Sequence, residues 1–298
     1  MFKGIFFLFA MVILLAAQSM LSAASPETLL LIRNSLSFRE ALEICRQEGA
    51  TYTIAEDAMP APVDIGELCL PISTENIFQD RLLPLRAPEN FRPLQAFDWR
   101  LRNGVTPIKN QGRVNCCWAF GVTGIFESCI LLRMKQAVDI SEQDLISCNQ
   151  FGFTMNGGGD ARAFYFFQQY GGALESDCPY TGLTAECRAG LRRPYRLGGV
   201  MPVNPDINSM KAAIYNYGPI LTLAAVDKNF GYYNGGVFNH NCQDKLNHAL
   251  NIVGWDDTKG SRGCWIIKNS WGTKWGEQGF MRIEYGKCRI GSGCVYVY

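Results

Sequence analysis

The chain of 298 residues holds two histidines, His240 and His248, so imidazole-based proton transfer near neutral pH must use one of them. A nucleophile candidate stands at Cys117. Free N–H groups and a partial positive charge at a helix start favour ionisation of a thiol, and the thiolate is the reactive form. Taken alone, a cysteine ahead of a helix is more often a buried structural residue, so its neighbourhood must decide. His248 follows Leu246-Asn247 and leads into an apolar run, whereas His240 lies in the polar stretch Asn239-His240-Asn241 and reads as a surface-loop residue. No metal site is expected: there is no Cys-x-x-Cys, and Cys116-Cys117 with one histidine do not make a tetrahedral set. Gly157-Gly158-Gly159 lacks the following Gly-Lys-Ser/Thr of a phosphate loop, and no cofactor is implied.

The elements that would carry these residues are legible in outline. Trp118 to Lys135 has no proline and places Phe120, Val122, Ile125, Phe126, Cys129 and Ile130 at helical spacing, which predicts a buried helix starting near Cys117. Residues 161–170 read as a second helix closed by Gly171-Gly172, with Phe164, Phe166 and Phe167 in the core. After Pro219 the pattern turns to short strands, at 220–226, 249–255, 264–268, 280–285 and 294–298, separated by glycine-rich turns. Helices followed by strands predict an α+β fold in two lobes.

The letters around the candidates go further. Gln111-Gly112-Arg113-Val114-Asn115-Cys116-Cys117-Trp118-Ala119-Phe120 resembles the active-site segment of papain-like cysteine proteases of the cathepsin L and papain type. Leu246-Asn247-His248-Ala249 with Val253-Gly254-Trp255 resembles that family's histidine strand. Ile267-Lys268-Asn269-Ser270-Trp271-Gly272, followed by Trp275-Gly276-Glu277-Gln278-Gly279-Phe280, resembles its asparagine segment. The histidine and asparagine stand about 130 and about 150 residues after the cysteine, as in that family. Asp98-Trp99-Arg100, Thr106 to Asn110, Ser141 to Leu145 and Asn156-Gly157-Gly158 also fall in the family's order, so the resemblance covers nearly all of residues 93–298.

The resemblance implies a two-lobed papain-like fold, with a helical lobe over about 93–203 and a β-barrel-like lobe over 204–298. It implies peptide hydrolysis through an acyl-enzyme, with Cys117 as nucleophile and His248 as its imidazolium partner. Asn269 would orient the ring, and Gln111 with the Cys117 N–H would form the oxyanion site. Trp271 would cover the His248–Asn269 hydrogen bond, or serve simply as a core tryptophan. Gly157 and Gly158 would offer backbone to an extended substrate. Leu223, Leu246, Ala249 and Gly293, with Asp160 at the rim, match positions lining the S2 subsite and imply a bulky apolar P2 residue. Disulfides Cys148–Cys187 and Cys242–Cys288 are implied, with Cys294 a rival partner for Cys242.

Several positions depart from the family. The usual cysteines three before the nucleophile and just before Asn-Gly-Gly are Val114 and Met155, so one bridge, typically worth about 2–5 kcal/mol, is replaced by apolar contact. Asn115 stands for a glycine, and asparagine tolerates positive φ better than most residues. Cys116 stands for a serine beside the nucleophile, and a Cys116–Cys117 bridge would be strained. These changes leave open a catalytically silent binding module; a peptide ligase using the same acyl-enzyme is the third reading.

Composition sets the context. Lys+Arg at 28 against Asp+Glu at 27, a net charge of +1, gives no reason to expect a nucleic-acid partner. With 48% hydrophobic residues the chain can bury a core. Residues 1–24 read as a signal peptide, with Lys3, an apolar run and Ser22-Ala23-Ala24, and no stable membrane insertion is expected after its removal. Residues 25–92, one helix over 27–47 and then a stretch spaced by Pro60, Pro62, Pro71, Pro84 and Pro88 up to Pro93, read as a propeptide with little core of its own. It lacks a convincing Glu-Arg-Phe-Asn-Ile-Asn helix of the cathepsin L type. All six tryptophans lie beyond it. The expected product is a monomeric zymogen, secreted or sent to a lysosome-like or vacuolar compartment. Its expected partners are polypeptide substrates, its own propeptide as inhibitor, and cystatin-like inhibitors.

Overall fold

The computed structural model describes residues 26–58, 82–158, 162–243 and 245–298. The signal peptide expected at 1–24, the proline-spaced stretch 59–81 and Asp160 lie outside the described residues.

A long helix, α1 (Pro26–Glu48), and a short strand, β1 (Tyr52–Ile54), open the described chain. Strand β2 (Ala96–Asp98) runs into a 3-10 turn, Trp99–Arg102, capped by the Asp98 side chain, which accepts from the Arg100 N–H. Three helices follow: α2 (Cys117–Met134), α3 (Glu142–Cys148) and α4 (Arg162–Gln169). Beyond them lie β3 (Val200–Pro202), α5 (Ile207–Tyr217), β4 (Ile220–Ala224), α6 (Lys228–Gly231) and β5 (Tyr233–Phe238). Four strands finish the chain: β6 (His248–Asp256), β7 (Cys264–Lys268), β8 (Phe280–Glu284) and β9 (Ser292–Val297).

Among the described residues nine strands form one mixed sheet in the order β1-β5-β8-β7-β6-β4-β9-β3, with β2 also paired to β6. Its pairs are antiparallel except β5 with β8. The architecture is α+β, with one apolar core under the strands, built on Trp255, Trp265, Trp271, Trp275, Phe230 and Phe238, and a second between α2, α4 and the faces of β4 and β6. The chain crosses between the lobes. β2 and β3 come from the helical half yet pair with β6 and β9, and α5 and α6 lie inside the strand-rich half.

What positions the site is the packing of α2. Nearly every side chain from Cys117 to Ile130 is buried, so this helix, although long and apolar enough to cross a membrane, is the core helix of the fold. Two glycines let it lie close on the sheet. A Cβ at Gly121 would meet Leu221 Cδ1 at 2.6 Å, and one at Gly124 would collide with the Asn251 side chain. Asn251, on β6, donates from Nδ2 to the Gly121 carbonyl at 2.8 Å, which pins the helix against the histidine strand. The helix ends at Lys135, whose left-handed backbone lets its N–H reach Leu131 O.

The described part of residues 25–92 is fastened at both edges of the sheet. β1 adds to β5 at one edge, with Tyr52 opposite Gly236. A side chain at Gly236 would strike the Thr51 carbonyl and Tyr52 backbone, so only glycine permits this approach. At the other edge Leu85 donates to Pro202 O at 2.9 Å and accepts from Asn204 N at 3.0 Å. Within this segment Ala41, Tyr52 and Ala58 are buried, with Tyr52 in the β-lobe core.

Candidate active site

Cys117 is the first residue of α2 and only 3% exposed. No side chain caps this helix and its first turn holds no acidic residue. Against burial, the backbone N–H groups of Ala249, Trp118 and Cys117 itself pull the thiol pKa down. Ala249 directly follows His248, the first residue of β6, so the histidine strand lies beside the start of α2.

His248 is fully buried. Its Nε2 lies 2.9 Å from Asn269 Oδ1, and the Ser270 backbone N–H donates to that same oxygen at 2.8 Å. A backbone N–H can only donate, so the atom it meets is the amide oxygen, and His248 Nε2 must carry the hydrogen. The Trp271 indole lies over the imidazole, with centroids 4.7 Å apart and planes 33° apart. Behind it stand Trp275 and Phe230, each edge-on to Trp271.

Gln111 is buried and held on three sides. Its N–H donates to Ser270 O at 2.8 Å, its Oε1 accepts from Ser270 Oγ at 2.7 Å, and its Nε2 donates to Val114 O at 2.8 Å. An amide nitrogen carries two hydrogens, so one bond to Val114 leaves a second donor. Gly272 N–H to Lys109 O and the Asn110–Trp271 bridge complete a clasp between the glutamine loop and the asparagine loop.

Electrostatics qualify the expected ion pair. In this covered site burial pushes the Cys117 thiol up to about 11, against the pull of the three N–H groups. Burial likewise lowers His248 to about 4, although the Asn269 bond favours the charged ring. Both displacements favour neutral thiol and neutral imidazole. Burial thus works against the thiolate–imidazolium pair expected from the family, and charging it calls for a more hydrated site.

The S2 candidates gather around β4. Leu223 is the register partner of Ala249, and a Cβ at Gly293, on β9, would meet Leu223 Cδ1 at 3.0 Å. Leu246 is buried just before β6 in the same apolar cluster. Asp160 lies outside the described residues. Gly157 and Gly158 both have positive φ, 126° and 121°. Gly157 exchanges both backbone bonds with Thr154, so its N–H is already used. Bridges join Cys148 to Cys187 and Cys242 to Cys288, while Cys294 is a buried free thiol.

At the two departures, Val114 and Met155 pack in one apolar cluster, joined by the Asn115 N–H to Met155 O bond of 2.8 Å. Asn115 does not take a positive φ, so the tolerance argued for it is not called on. His240 corrects the sequence reading: it is 7% exposed, not a loop-surface residue. Its Nδ1 lies 2.6 Å from Glu48 Oε2 on α1 and its Nε2 lies 2.9 Å from Asp227 Oδ2. Nothing in the local letters announced this, since both partners are remote.

A charge cluster under the site, buried except at Asp139 and the partly exposed Lys109, also escaped the sequence reading. Lys109 Nζ contacts Glu127 at 2.7 Å, Asp139 at 2.7 Å and Glu142 at 2.9 Å. Lys268, next to Asn269, donates to Thr106 Oγ1, which donates to Glu127 Oε2. Burial lowers the Lys268 ammonium to about 8 and raises the Glu142 carboxyl, despite Lys109, to about 7. The only hint was charge inside apolar runs, Glu127 in the helix and Lys268 closing β7.

The α+β scaffold thus holds a buried cysteine at a helix start, an imidazole fixed by an asparagine and roofed by tryptophan, and a glutamine clasped to the asparagine loop. The chain belongs to the papain family: the description papain family cysteine protease matches residues 94–298. Senescence-specific cysteine protease SAG12 of Arabidopsis thaliana is 37% identical over 195 residues, 63% of this chain and 56% of that protein. Papain of Carica papaya is 35% identical over 208 residues, 67% of this chain and 59% of that protein. The chain thus spans a little over half the length of these relatives. Among solved structures, digestive procathepsin L 3 of Tenebrio molitor larval midgut aligns with TM-score 0.74 at 25% identity, covering 94% of this chain and 96% of that one. Bromelain of Ananas comosus in complex with the E64 inhibitor aligns with TM-score 0.63 at 32% identity, covering 68% and 98%.

Proposed function

We propose that the chain is a cysteine endopeptidase made as a zymogen. The observation that carries this is the hydrogen-bonded pair His248 Nε2–Asn269 Oδ1 under Trp271, on the strand that Asn251 ties to the Cys117 helix. With Nε2–H donated to Asn269, Nδ1 is the proton acceptor in the proposed transfer from the thiol. Once the cleft is hydrated, the cost of charging the pair falls and the proton passes from Cys117 to His248. The thiolate attacks the peptide carbonyl, the oxyanion meets the Cys117 N–H and the free Gln111 Nε2 hydrogen, and His248 protonates the leaving amine. Water then hydrolyses the thioester with His248 as base. Leu223, Leu246, Ala249 and Gly293 form an apolar S2 floor that takes a bulky hydrophobic P2 side chain, while Gly158 supplies backbone to the substrate strand.

Residues 25–92 act as the inhibitory prosegment, anchored at both edges of the sheet, and processing falls between Ala87 and Pro93, where Pro88 to Asn90 are exposed. Residues 1–24 direct the chain to secretion or to a vacuolar or lysosome-like compartment, and cystatin-like proteins are expected inhibitors of the monomer.

Labelling with E64 tests the reading. Label should attach to Cys117, persist in Cys116→Ser and vanish in Cys117→Ser. Label retained in Cys117→Ser but lost in Cys116→Ser would overturn the assignment.

A further inference from the structure

Two adjacent thiols at the mouth of α2 raise a chemical question: what keeps the wrong one from reacting? Cys116 is fully buried, and its Sγ lies 3.1 Å from Tyr180 Oη. The same hydroxyl lies 2.7 Å from the backbone oxygen of Gln111. A carbonyl only accepts, so the single phenolic hydrogen goes to Gln111. Toward Cys116 the phenol oxygen can then only accept, and the sulfur must keep its proton. Hydrogen counting therefore gives a direction: Cys116 S–H to Tyr180, and Tyr180 O–H to Gln111 C=O. Tyr180 is itself fixed, because its N–H donates to Glu175 Oε1 at 2.7 Å and its ring stands edge-on to Phe120 at 5.0 Å. The relay ties together the two backbones that border the oxyanion position, the Gln111 loop and the turn into Cys117.

We infer that Cys116 and Tyr180 are positioning residues for the oxyanion site, with Cys116 locked as a proton-donating thiol and Tyr180 holding Gln111 against the start of α2. The inference rests on the protease reading above. Burial acts in the same sense, pushing the Cys116 thiol up to about 12. It also explains why a cysteine is tolerated where the family usually has serine: each offers one hydrogen to the tyrosine. The relay moves no group covalently; it fixes geometry.

The test uses the full chain, activated by its own processing, as wild type, Cys116→Ser, Cys116→Ala and Tyr180→Phe. Three quantities are read: kcat and KM on a peptide substrate, inhibition by a peptide aldehyde, and the alkylation rate of Cys117 by iodoacetamide. Aldehyde addition develops an oxyanion and alkylation does not, so the two separate positioning from general damage. Cys116→Ala and Tyr180→Phe should lower kcat roughly 10-fold, short of the about 10²–10³-fold loss seen when an oxyanion donor is deleted outright. Aldehyde inhibition should weaken by a like factor, with KM and Cys117 alkylation unchanged. Cys116→Ser, which keeps the donor, should restore kcat. The inference is overturned if both donor-removing variants keep full kcat, if Cys116→Ser is as impaired as Cys116→Ala, or if alkylation falls in step with kcat. Should Tyr180→Phe fail to fold, the Cys116→Ala and Cys116→Ser pair decides. A wild-type chain that neither hydrolyses peptide nor labels at Cys117 refutes the protease reading, and the relay with it.

Discussion

At the scale of single residues, the orientation of His248 carries the chemistry. Its Nε2–H is committed to Asn269 by a bond whose acceptor is defined by the Ser270 N–H. Asn269→Ala should leave the fold intact and lower kcat by about 10²-fold, within the range general acid–base positioning supplies, which steady-state kinetics on a fluorogenic peptide would show. Specificity is also a residue-scale matter. Gly293 has φ +57° and its Cβ would reach Leu223 at 3.0 Å. Gly293→Ala should therefore cost about 1 kcal/mol in stability and shift preference toward smaller P2 residues. Peptides varied only at P2 check this: wild type should prefer Leu and Phe over Ala and Arg, and equal kcat/KM across the four would remove the S2 assignment. The four proposed catalytic residues were legible because motif letters fix residue type and order. His240 and the Lys109–Glu127–Glu142–Lys268 cluster were not, because their partners are distant in sequence and only the fold brings them together.

At the scale of elements, the approach of α2 to β6 sets how near Cys117, the proposed nucleophile, lies to His248, its proposed base. Gly124→Val would drive a branched side chain into Asn251 and push the helix off the strand. Overpacking of this kind costs about 1–3 kcal/mol, so thermal unfolding should shift down and activity should fall together with it. The attachment of α1 is the second element-scale device. Burial would lower the His240 pKa, but the Asp227 and Glu48 carboxylates outweigh it and the net shift is upward. A group with a raised folded pKa stabilises fully below its unfolded value, about 6.5 for histidine, and loses that contribution as pH rises through the folded value. In a Cys117→Ser full chain, α1 amides should be best protected from hydrogen exchange in mild acid and lose protection toward alkaline pH. His240→Gln should flatten that dependence and leave β7 and β8 protection unchanged. Protection rising with pH through this window would contradict the latch. The strongly periodic or apolar elements, α2, β6 and β7, were readable from the sequence. β5 was not, since Tyr233-Asn234-Gly235-Gly236 reads as a turn until β1 and β8 supply its pairing. α5 was missed although its signals were present: the Asp206 side chain accepts from the Ser209 N–H and Gly218 closes the helix.

At the scale of the whole molecule, the full chain keeps both Cys117 and His248 buried, and the proposed activation must hydrate them. The α+β class followed from the order of helical and strand patterns, but the crossing of β2 and β3 into the opposite lobe did not, because three-residue strands carry too little pattern to register. Nor could composition show that the segment before Pro93 pairs at both edges of the sheet, a matter of long-range pairing. The central claim is that Cys117 is the nucleophile and that His248 ionises it once the prosegment has left. The most direct measurement is the pH profile of Cys117 alkylation by iodoacetamide, compared between the full chain, the processed enzyme and processed His248→Ala. The account predicts slow alkylation of the full chain, fast alkylation of the processed enzyme extending below pH 6, and for His248→Ala a single rise near the ordinary thiol value of about 8.5. Identical profiles for the processed wild type and His248→Ala, or modification falling on Cys116, would contradict it.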